Sequence, residues 1–164
     1  MSKLHDKVQK TLNQYDLDYK VIDCDPDLAD TAAFCEKYNF KPEQCANTIL
    51  VVSKKVEPAQ YAVCVVLANA RLDVNKAVCK AMGVKRASFA SADQTVAQTD
   101  MMIGGVVAIG VLTHPILVDA AVMQQTEIVM GGGNRSSKLL LNPQELLKLP
   151  NLKVVEGLAK LKDN

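Results

Sequence analysis

The chain has 164 residues, a length typical of one domain, and 49% of them are hydrophobic, which is enough for a sizeable core. The formal net charge of +1 excludes a polycation that holds nucleic acid through its overall field, so any RNA contact must come from a local basic patch. Five cysteines without a C-x-x-C pair, together with only two histidines, disfavour a zinc site. We therefore expect buried, reduced thiols and neither a metal nor another cofactor.

The N-terminal sequence MSKLHDKVQK is charged and lacks the apolar segment of a signal peptide. No apolar run reaches the roughly 18 residues that a membrane-spanning helix requires. These features predict a cytoplasmic protein without a membrane partner.

The first quarter of the chain alternates helix and strand signals. Apolar residues at helical spacing from Leu4 to Leu12 predict an amphipathic helix, and Tyr19–Asp23 has the composition of a short strand. Asp25-Pro26-Asp27 is typical of a turn. A second helix is predicted from Ala32 to Tyr38, ending near Asn39.

The next segment predicts a hairpin and a helix. Thr48–Ser53 and Tyr61–Ala68 are β-rich apolar runs, and the Pro-containing stretch Lys54–Gln60 is a suitable connection between them. Asp73 as N-cap and Gly83 as C′ residue predict a helix through Met82.

Short strands, a capped helix and a loop follow. Lys85–Phe89 predicts a strand, and Ser91 with Gln94 forms a capping-box pattern for a helix to about Thr99. The sequence GGVVAIG, Gly104–Gly110, predicts an apolar loop flanked by glycine. Ile116–Asp119 and Thr126–Met130 predict further strands.

The last segment predicts a turn, a strand and a helix. Gly131–Asn134 is expected to form a turn with left-handed backbone angles, followed by a strand at Lys138–Leu141. Asn142–Glu145 combines an N-cap, proline at N1 and glutamate at N3, which predicts a helix ending near Pro150 and a short strand around Val154. The whole pattern favours an α+β fold with one mixed sheet and helices packed around it.

Two glycine clusters could place backbone donors beside a ligand. Near Gly104-Gly105, close approach of a backbone N–H to an anion or an ester carbonyl is one interpretation, and a tight turn between strands is the other. The sequence GGGNRSSK, Gly131–Lys138, fails the spacing of an ATP-type phosphate loop. Its Arg135, Ser136 and Lys138 either meet a nucleic-acid phosphate or belong to a solvated hairpin.

Two other patterns carry weaker hypotheses. Cys64, His114 and Asp119 have the residue types of a thiol-protease triad, but Cys64 lies inside an apolar strand, which favours a core residue. Basic residues that could line one face include Lys54-Lys55, Lys85-Arg86, Lys76 and Lys80, although acidic residues intervene and a solvated surface is the alternative.

Four stretches, in order, resemble the YbaK/EbsC family, which includes the editing domain of bacterial prolyl-tRNA synthetases and its free-standing relatives. They are ANTILVV (Ala46–Val52), RLDVNKAVCKAMGVKRASFAS (Arg71–Ser91), GGVVAIG (Gly104–Gly110), and ILVDAAV (Ile116–Val122) followed by GGGNRSSKLLL (Gly131–Leu141). The resemblance covers roughly Ala29 to Val155. It implies a single editing domain over residues 1–164, with a mixed, curved β-sheet surrounded by helices.

The resemblance also implies an activity: a deacylase that acts in trans and hydrolyses the ester of a tRNA mischarged with a small amino acid. Its partner would be the aminoacylated 3′ end of tRNA, and the question of a second partner, an aminoacyl-tRNA synthetase, stays open. Catalytic positions would be Asn47 and Gly105, and we expect Gly105→Val to block activity by filling the pocket of a folded protein. The implied substrate-binding residues are Thr48, Gly104, Val106, Val107, Ala108, Gly110 and Asp119. The implied tRNA-binding residues are Lys76, Lys80, Arg135, Ser136 and Lys138.

Two positions depart from the family pattern. Asn47 stands where the family has its catalytic lysine, and an amide cannot replace an ammonium electrostatically. Ala108 stands in place of the loop proline, which loosens the backbone. Asp119 has a structural alternative, as the end of its strand and the cap of Ala120–Met123. Two alternatives to an editing enzyme therefore stay open: a module that binds tRNA or an aminoacyl ligand without turnover, and a protein-interaction domain.

Overall fold

A computed structural model describes residues 3–162. The helices are α1 (Asp6–Gln14), α2 (Thr31–Tyr38), α3 (Cys79–Met82), α4 (Ala92–Thr99) and α5 (Ala120–Met123). The strands are β1 (Lys20–Asp23), β2 (Ala46–Ser53), β3 (Tyr61–Leu67), β4 (Ala70–Leu72), β5 (Ala87–Phe89), β6 (Ile116–Asp119), β7 (Ile128–Gly131), β8 (Ser137–Leu141), β9 (Leu152–Val155) and β10 (Ala159–Leu161). Shorter 3-10 segments lie at Pro26–Leu28, Pro42–Gln44 and Pro143–Lys148.

The central sheet is mixed and has five strands in the order β5-β2-β3-β6-β9. Strands β2 and β3 form the predicted antiparallel hairpin, and β5 pairs antiparallel to the other edge of β2. Strands β6 and β9 join in parallel. This mixed sheet with helices around it confirms the predicted α+β fold.

A second sheet lies beside the first. Strands β1, β8 and β7 are antiparallel neighbours in that order, and one isolated parallel bridge, between Cys45 and Val129, connects β7 to the start of β2. A small third sheet pairs β10 with β4. Strands β4 and β10 were not predicted, because three residues are too few to show a strand periodicity.

The core occupies both faces of the central sheet because side chains alternate along a strand. Val63 and Val65 of β3 point into the largest cluster, which also takes in the apolar face of α1. Cys64 and Val66 of the same strand point into a second cluster with Val78 of the helical segment before Gly83. A third, smaller cluster surrounds Phe34.

Several predicted helices differ in detail. The segment between Asp73 and Gly83 begins as a π-helical turn, Val74–Val78, before α3. Asn142 does cap the following segment, but Pro143–Lys148 is a 3-10 helix. In the glycine-rich turn only Gly133 has a left-handed backbone angle, with φ of 88°.

Candidate functional site

A pocket of about 350 Å³ lies in the seam between the two larger sheets. Strand β2 pairs with β3 along one edge, and we call the opposite edge its outer edge. On the outer edge, the Ala90 N–H donates to Leu50 O in the middle of β2, and Cys45, just before the strand, forms the bridge to Val129. Between these two points neither β5 nor β7 is paired with β2. We call this space the seam pocket. It is lined by Asp30, Thr31, Phe34, Cys45 to Leu50, Ala90, Thr95, Ile103, Gly104, Val106, Val129, Met130, Gly131 and Lys138.

The backbone of Thr48 faces the seam pocket. Leu50 O accepts from Ala90 and Lys54 N–H donates to Arg86 O, so the even-numbered residues of this strand turn their backbone groups to the outer edge. Cys45 O accepts from Ala68 on the opposite edge, as the alternation of a regular strand requires. Thr48 therefore offers an N–H donor and a carbonyl acceptor to anything bound in the pocket.

The side chains of Asn47 and Thr48 are held by different elements. The Thr31 hydroxyl on α2 donates to Asn47 Oδ1 at 2.7 Å. The Ala108 N–H donates to Thr48 Oγ1 at 3.2 Å. The Asn47 amide N–H₂ has no acceptor among residues 3–162, so it remains available to a ligand.

The loop Gly104–Gly110 reaches the pocket with only part of its length. Gly104 and Val106 line the pocket. Gly105 is buried elsewhere: its N–H donates to Met102 O, its carbonyl accepts from the Gly133 N–H at 2.7 Å, and a Cβ at this position would overlap the Asn134 carbonyl. The structure thus places Gly105, a predicted catalytic residue, in the contact between two loops and outside the pocket lining.

The rest of the loop belongs to the core. Val107 and Ala108 are buried in the largest cluster. Gly110, with φ of 114°, packs against Met101 and the backbone of Lys7. The structure thus places these three predicted substrate-binding residues outside the pocket lining, and Ala108 contacts the site through its hydrogen bond to Thr48.

Asp119 is a structural residue by its surroundings. It is buried at the end of β6, and backbone N–H groups of Leu158 and Ala159 donate to its carboxylate. Burial raises the pKa of this carboxyl above its usual range, although the backbone donors oppose the rise. It does not line the seam pocket, which favours the structural alternative for this residue.

Lys138 on β8 is buried in the wall of the seam pocket, with only 6% of its surface exposed. Its Nζ donates to Ala29 O at 2.7 Å and to Gly104 O at 3.2 Å, and it lies 5.4 Å from the centre of the Phe34 ring. Burial lowers the pKa of the ammonium below its usual value. The structure thus places this predicted tRNA-binding residue in the pocket wall, with its side chain pointing into the protein.

The model of the aminoacyl-tRNA editing domain matches residues 25–149, a range that contains every described lining residue of the seam pocket. The chain belongs to this family.

Solved structures share the fold of this editing domain. The hypothetical protein APE2540 has a TM-score of 0.83 and 18% identity over 94% of this chain and 100% of its own. A protein described as a candidate trans-editing enzyme for prolyl-tRNA synthetase has a TM-score of 0.78 and 22% identity over 99% and 100%. A candidate signal-transduction protein from Marinobacter aquaeolei VT8 has a TM-score of 0.64 and 17% identity over 96% and 31%. No curated protein matches the chain significantly.

The remaining predicted tRNA contacts of this editing domain lie outside the seam pocket. The Arg135 guanidinium is tied to Asp30 Oδ1 at 3.1 Å and to the carbonyls of Pro26 and Ile103. The Ser136 hydroxyl donates to Asn134 Oδ1. Lys76 and Lys80 are exposed on the helical segment before Gly83, which packs on the second core cluster.

The thiol-protease hypothesis has no support in the structure. Cys64 is fully buried in β3, and burial raises the pKa of its thiol to about 12. His114 Nε2 is hydrogen-bonded to Gln98 Oε1 at 2.9 Å. A neutral thiol sealed in the core cannot act as a nucleophile.

A second concave surface is lined by several basic residues. We call it the basic groove. Its cationic lining residues are Lys54, Arg71, Lys160 and Lys162, with Lys85 and Arg86 in an adjoining hollow. The side chains of Phe89 and Leu161 are 58% and 75% exposed there. Phe89 is followed in the chain by Ala90, which lines the seam pocket, so the two concave surfaces use neighbouring residues at the end of β5.

Three thiols near the pocket were not recognised as neighbours from the sequence. Cys35 and Cys45 have their sulfur atoms 3.2 Å apart, and Cys45 lines the pocket. Burial raises the pKa of Cys45 to about 12 and also raises that of Cys24, so both remain neutral thiols.

Among residues 3–162, no group of three or more His, Cys, Asp and Glu side chains could hold a metal ion, and no helix is long and apolar enough to cross a membrane.

Proposed function

We propose that the protein acts in trans and hydrolyses the ester bond of a tRNA mischarged with a small amino acid. The observation that carries this proposal is the convergence of Asn47, Thr48 and Gly104 on one pocket of an aminoacyl-tRNA editing domain. The described residues then serve as one editing domain, which works where charged tRNA is found, in the cytoplasm.

The size and lining of the seam pocket suit a small aminoacyl group. Its volume of about 350 Å³ is near the lower end of the range for ligand pockets, about 300–1,000 Å³. Its floor includes the buried apolar residues Ala46, Leu50, Val129 and Met130. A side chain such as a methyl group fits on this floor, and the ester then lies beside the polar groups of Asn47 and Thr48.

Ester hydrolysis needs little more than this arrangement. The ester of an aminoacyl-tRNA is already activated, so positioning and stabilisation of the developing oxyanion supply most of the required acceleration. Water is the nucleophile in this proposal. The free Thr48 N–H and the Asn47 amide are donors that can hold the ester, and no cofactor takes part.

The proposal is tested by deacylation of a panel of charged tRNAs. Because one similar structure is described as a candidate trans-editing enzyme for prolyl-tRNA synthetase, the proline tRNA charged with alanine is the first substrate. We expect faster hydrolysis of esters of small amino acids than of leucyl or phenylalanyl esters, because a larger side chain leaves less of the pocket for the ester and the terminal ribose. Equal rates for small and large esters would contradict the proposed pocket.

A second candidate function has one observation in its favour. Asn47 carries no charge, at the position where the resemblance places a catalytic lysine. A module that binds aminoacyl-tRNA without turnover is consistent with this residue. Binding of charged tRNA with no release of amino acid by the wild-type protein would decide for this second function.

The proposed contact with the body of tRNA is the basic groove. Four cations around one concavity, with Asp73 as the acidic residue among its lining, attract the phosphate backbone. The exposed Phe89 ring lines this groove, and we propose that it stacks on a base of the single-stranded 3′ end.

Neutralising two groove cations should weaken tRNA binding. For Lys54→Gln/Lys160→Gln we expect a lower affinity and a slope of log K against log salt that is less steep by about 1.5, since each lost phosphate contact removes about 0.7–0.9. Filter binding at several salt concentrations measures both. The matched control is Lys10→Gln/Lys20→Gln, which removes the same charge from exposed positions outside the groove. Equal effects of the two double variants would contradict the groove as the tRNA contact.

A further inference from the structure

The ammonium of Lys138 is buried without an acidic partner. Its two hydrogen bonds go to neutral carbonyl oxygens, of Ala29 and Gly104. An ammonium has three N–H donors, so one of them has no acceptor among residues 3–162. No ion pair with a carboxylate within 4 Å involves Lys138 in this part of the chain.

The charged groups around Lys138 do not compensate it. The groups that face it are the thiols of Cys24 and Cys45, the Arg135 guanidinium and the Asp30 carboxylate. Both thiols have raised pKa values and are neutral, and Asp30 is already paired with Arg135 at 3.1 Å. A buried cation that lacks a counter-charge is costly, so its position in a pocket wall points to a ligand that carries a negative or partly negative oxygen.

We propose that Lys138 is a catalytic residue whose ammonium binds the carbonyl oxygen of the aminoacyl ester in the seam pocket and stabilises the negative charge that forms there. This inference rests on the proposed function. The carbonyls of Ala29 and Gly104 fix two of the N–H groups and thereby aim the third. The positive charge of this pocket thus comes from β8. The family pattern instead has its lysine on β2, at the position that Asn47 occupies in this chain.

The step that Lys138 assists is balanced without any further reactant. The oxygen of water forms a bond to the carbonyl carbon, and the carbonyl electron pair moves onto the carbonyl oxygen beside the ammonium. When the pair returns, the bond between the carbonyl carbon and the ribose oxygen breaks. One proton of the water ends on the ribose oxygen, which gives a free amino acid and an uncharged tRNA.

The test compares steady-state deacylation by the wild type, Lys138→Met, Lys138→Gln and Lys138→Arg. Loss of one oxyanion donor lowers kcat by about 100–1,000-fold, and we expect a loss of this size for Met and Gln with a much smaller change in KM. Arginine should retain part of the rate. Thermal unfolding of each variant gives its folded fraction, and each rate is expressed per amount of folded protein. Unchanged kcat in folded Lys138→Met and Lys138→Gln would overturn the proposal.

A charge transplant separates electrostatics from packing. Asn47 lines the same pocket, so Asn47→Lys in a Lys138→Met background returns one ammonium to it from the other side. We expect this double variant to hydrolyse the ester at least tenfold faster than Lys138→Met. A double variant no faster than Lys138→Met, together with full activity in Lys138→Gln, would show that Lys138 only fills space.

The pH profile gives a second readout that a packing role would not change. Because burial lowers the pKa of Lys138, the ammonium is lost below the ordinary lysine value of 10.5 as pH rises. After subtraction of spontaneous ester hydrolysis, the wild-type rate should fall through this lowered pKa, and Lys138→Arg should show no such fall, since arginine stays charged. Identical alkaline profiles for the two proteins would contradict the role.

Two further arms locate the bound oxygen. Alanyl-adenosine and its 5′-phosphate differ only in the phosphate. If Lys138→Met hydrolyses both compounds more slowly than the wild type by the same factor, the ammonium contacts the ester. A loss of rate confined to the phosphorylated compound overturns that assignment. If the wild type hydrolyses nothing, the proposed function fails, and binding of a stable amide analogue of alanyl-adenosine decides the inference alone. At least tenfold weaker binding by Lys138→Met supports the contact, and equal binding removes it.

Discussion

Replacing Gly105 by alanine is expected to destabilise the protein by about 3 kcal/mol or more, a large part of the roughly 5–15 kcal/mol available to a domain. The added Cβ would overlap the carbonyl and backbone nitrogen of Asn134, which are backbone atoms and cannot rotate away. The Gly105 carbonyl also accepts from Gly133, so separating the two segments breaks that hydrogen bond. Urea unfolding measures the loss, and Gly105→Val should be worse.

Gly157→Ala is the matched control for Gly105→Ala. Gly157 has a left-handed φ of 70°, and a Cβ there would meet no described atom within 4 Å. Its replacement therefore costs only backbone strain, about 1–2 kcal/mol. Gly105 has no left-handed angle, so its cost is purely overlap. A folded Gly105→Val protein with wild-type stability and no activity would contradict this expectation and support the catalytic role that the sequence suggested for this residue.

Replacing Phe34 by alanine should cost about 3–5 kcal/mol of stability, as for other large buried aromatic residues. Phe34 is 1% exposed and stacks on Tyr38 and Phe40, with ring centres 4.7 Å and 5.6 Å away. It also forms the pocket wall beneath Lys138. Chemical unfolding measures the change, which should be clearly smaller for Phe34→Leu because leucine keeps most of the apolar volume.

A double-mutant cycle between Phe34 and Lys138 separates the cation–π contact from packing. With the ammonium 5.4 Å from the ring centre, the coupling free energy should be about 0.5–2 kcal/mol in favour of the pair. The cycle uses Phe34→Leu and Lys138→Met, which preserve bulk on both sides. Strict additivity of the two substitutions would show that the ring contributes only volume to this wall.

Local signals predicted most of the secondary structure because the relevant interactions are short in sequence. Ser91 and Gln94 form the predicted capping box of α4, and Asn39 takes the left-handed conformation that ends α2. The β2–β3 hairpin is confirmed for the same reason. The family pattern then brought Asn47, Thr48 and Gly104 together, and the pocket contains all three.

The rest of the site depends on contacts between distant segments. In the sequence, the neighbours of Lys138 are typical of an exposed hairpin. Its burial results from contact with the segment before α2, where Ala29, 109 positions away, accepts its hydrogen bond. The tight contact between Gly105 and Asn134 depends on how two loops meet, which no local pattern records. The pairing of β1 with β8 and of β10 with β4 is equally non-local.

The most direct measurement is the position of a stable amide analogue of alanyl-adenosine in a crystal structure of its complex with this protein. We expect the analogue in the seam pocket, with its methyl group on the floor formed by Leu50 and Met130. Its carbonyl oxygen should lie within hydrogen-bonding distance of Lys138 Nζ, about 2.7–3.2 Å. An analogue bound outside the seam pocket, or one whose carbonyl faces away from Lys138, would contradict the account.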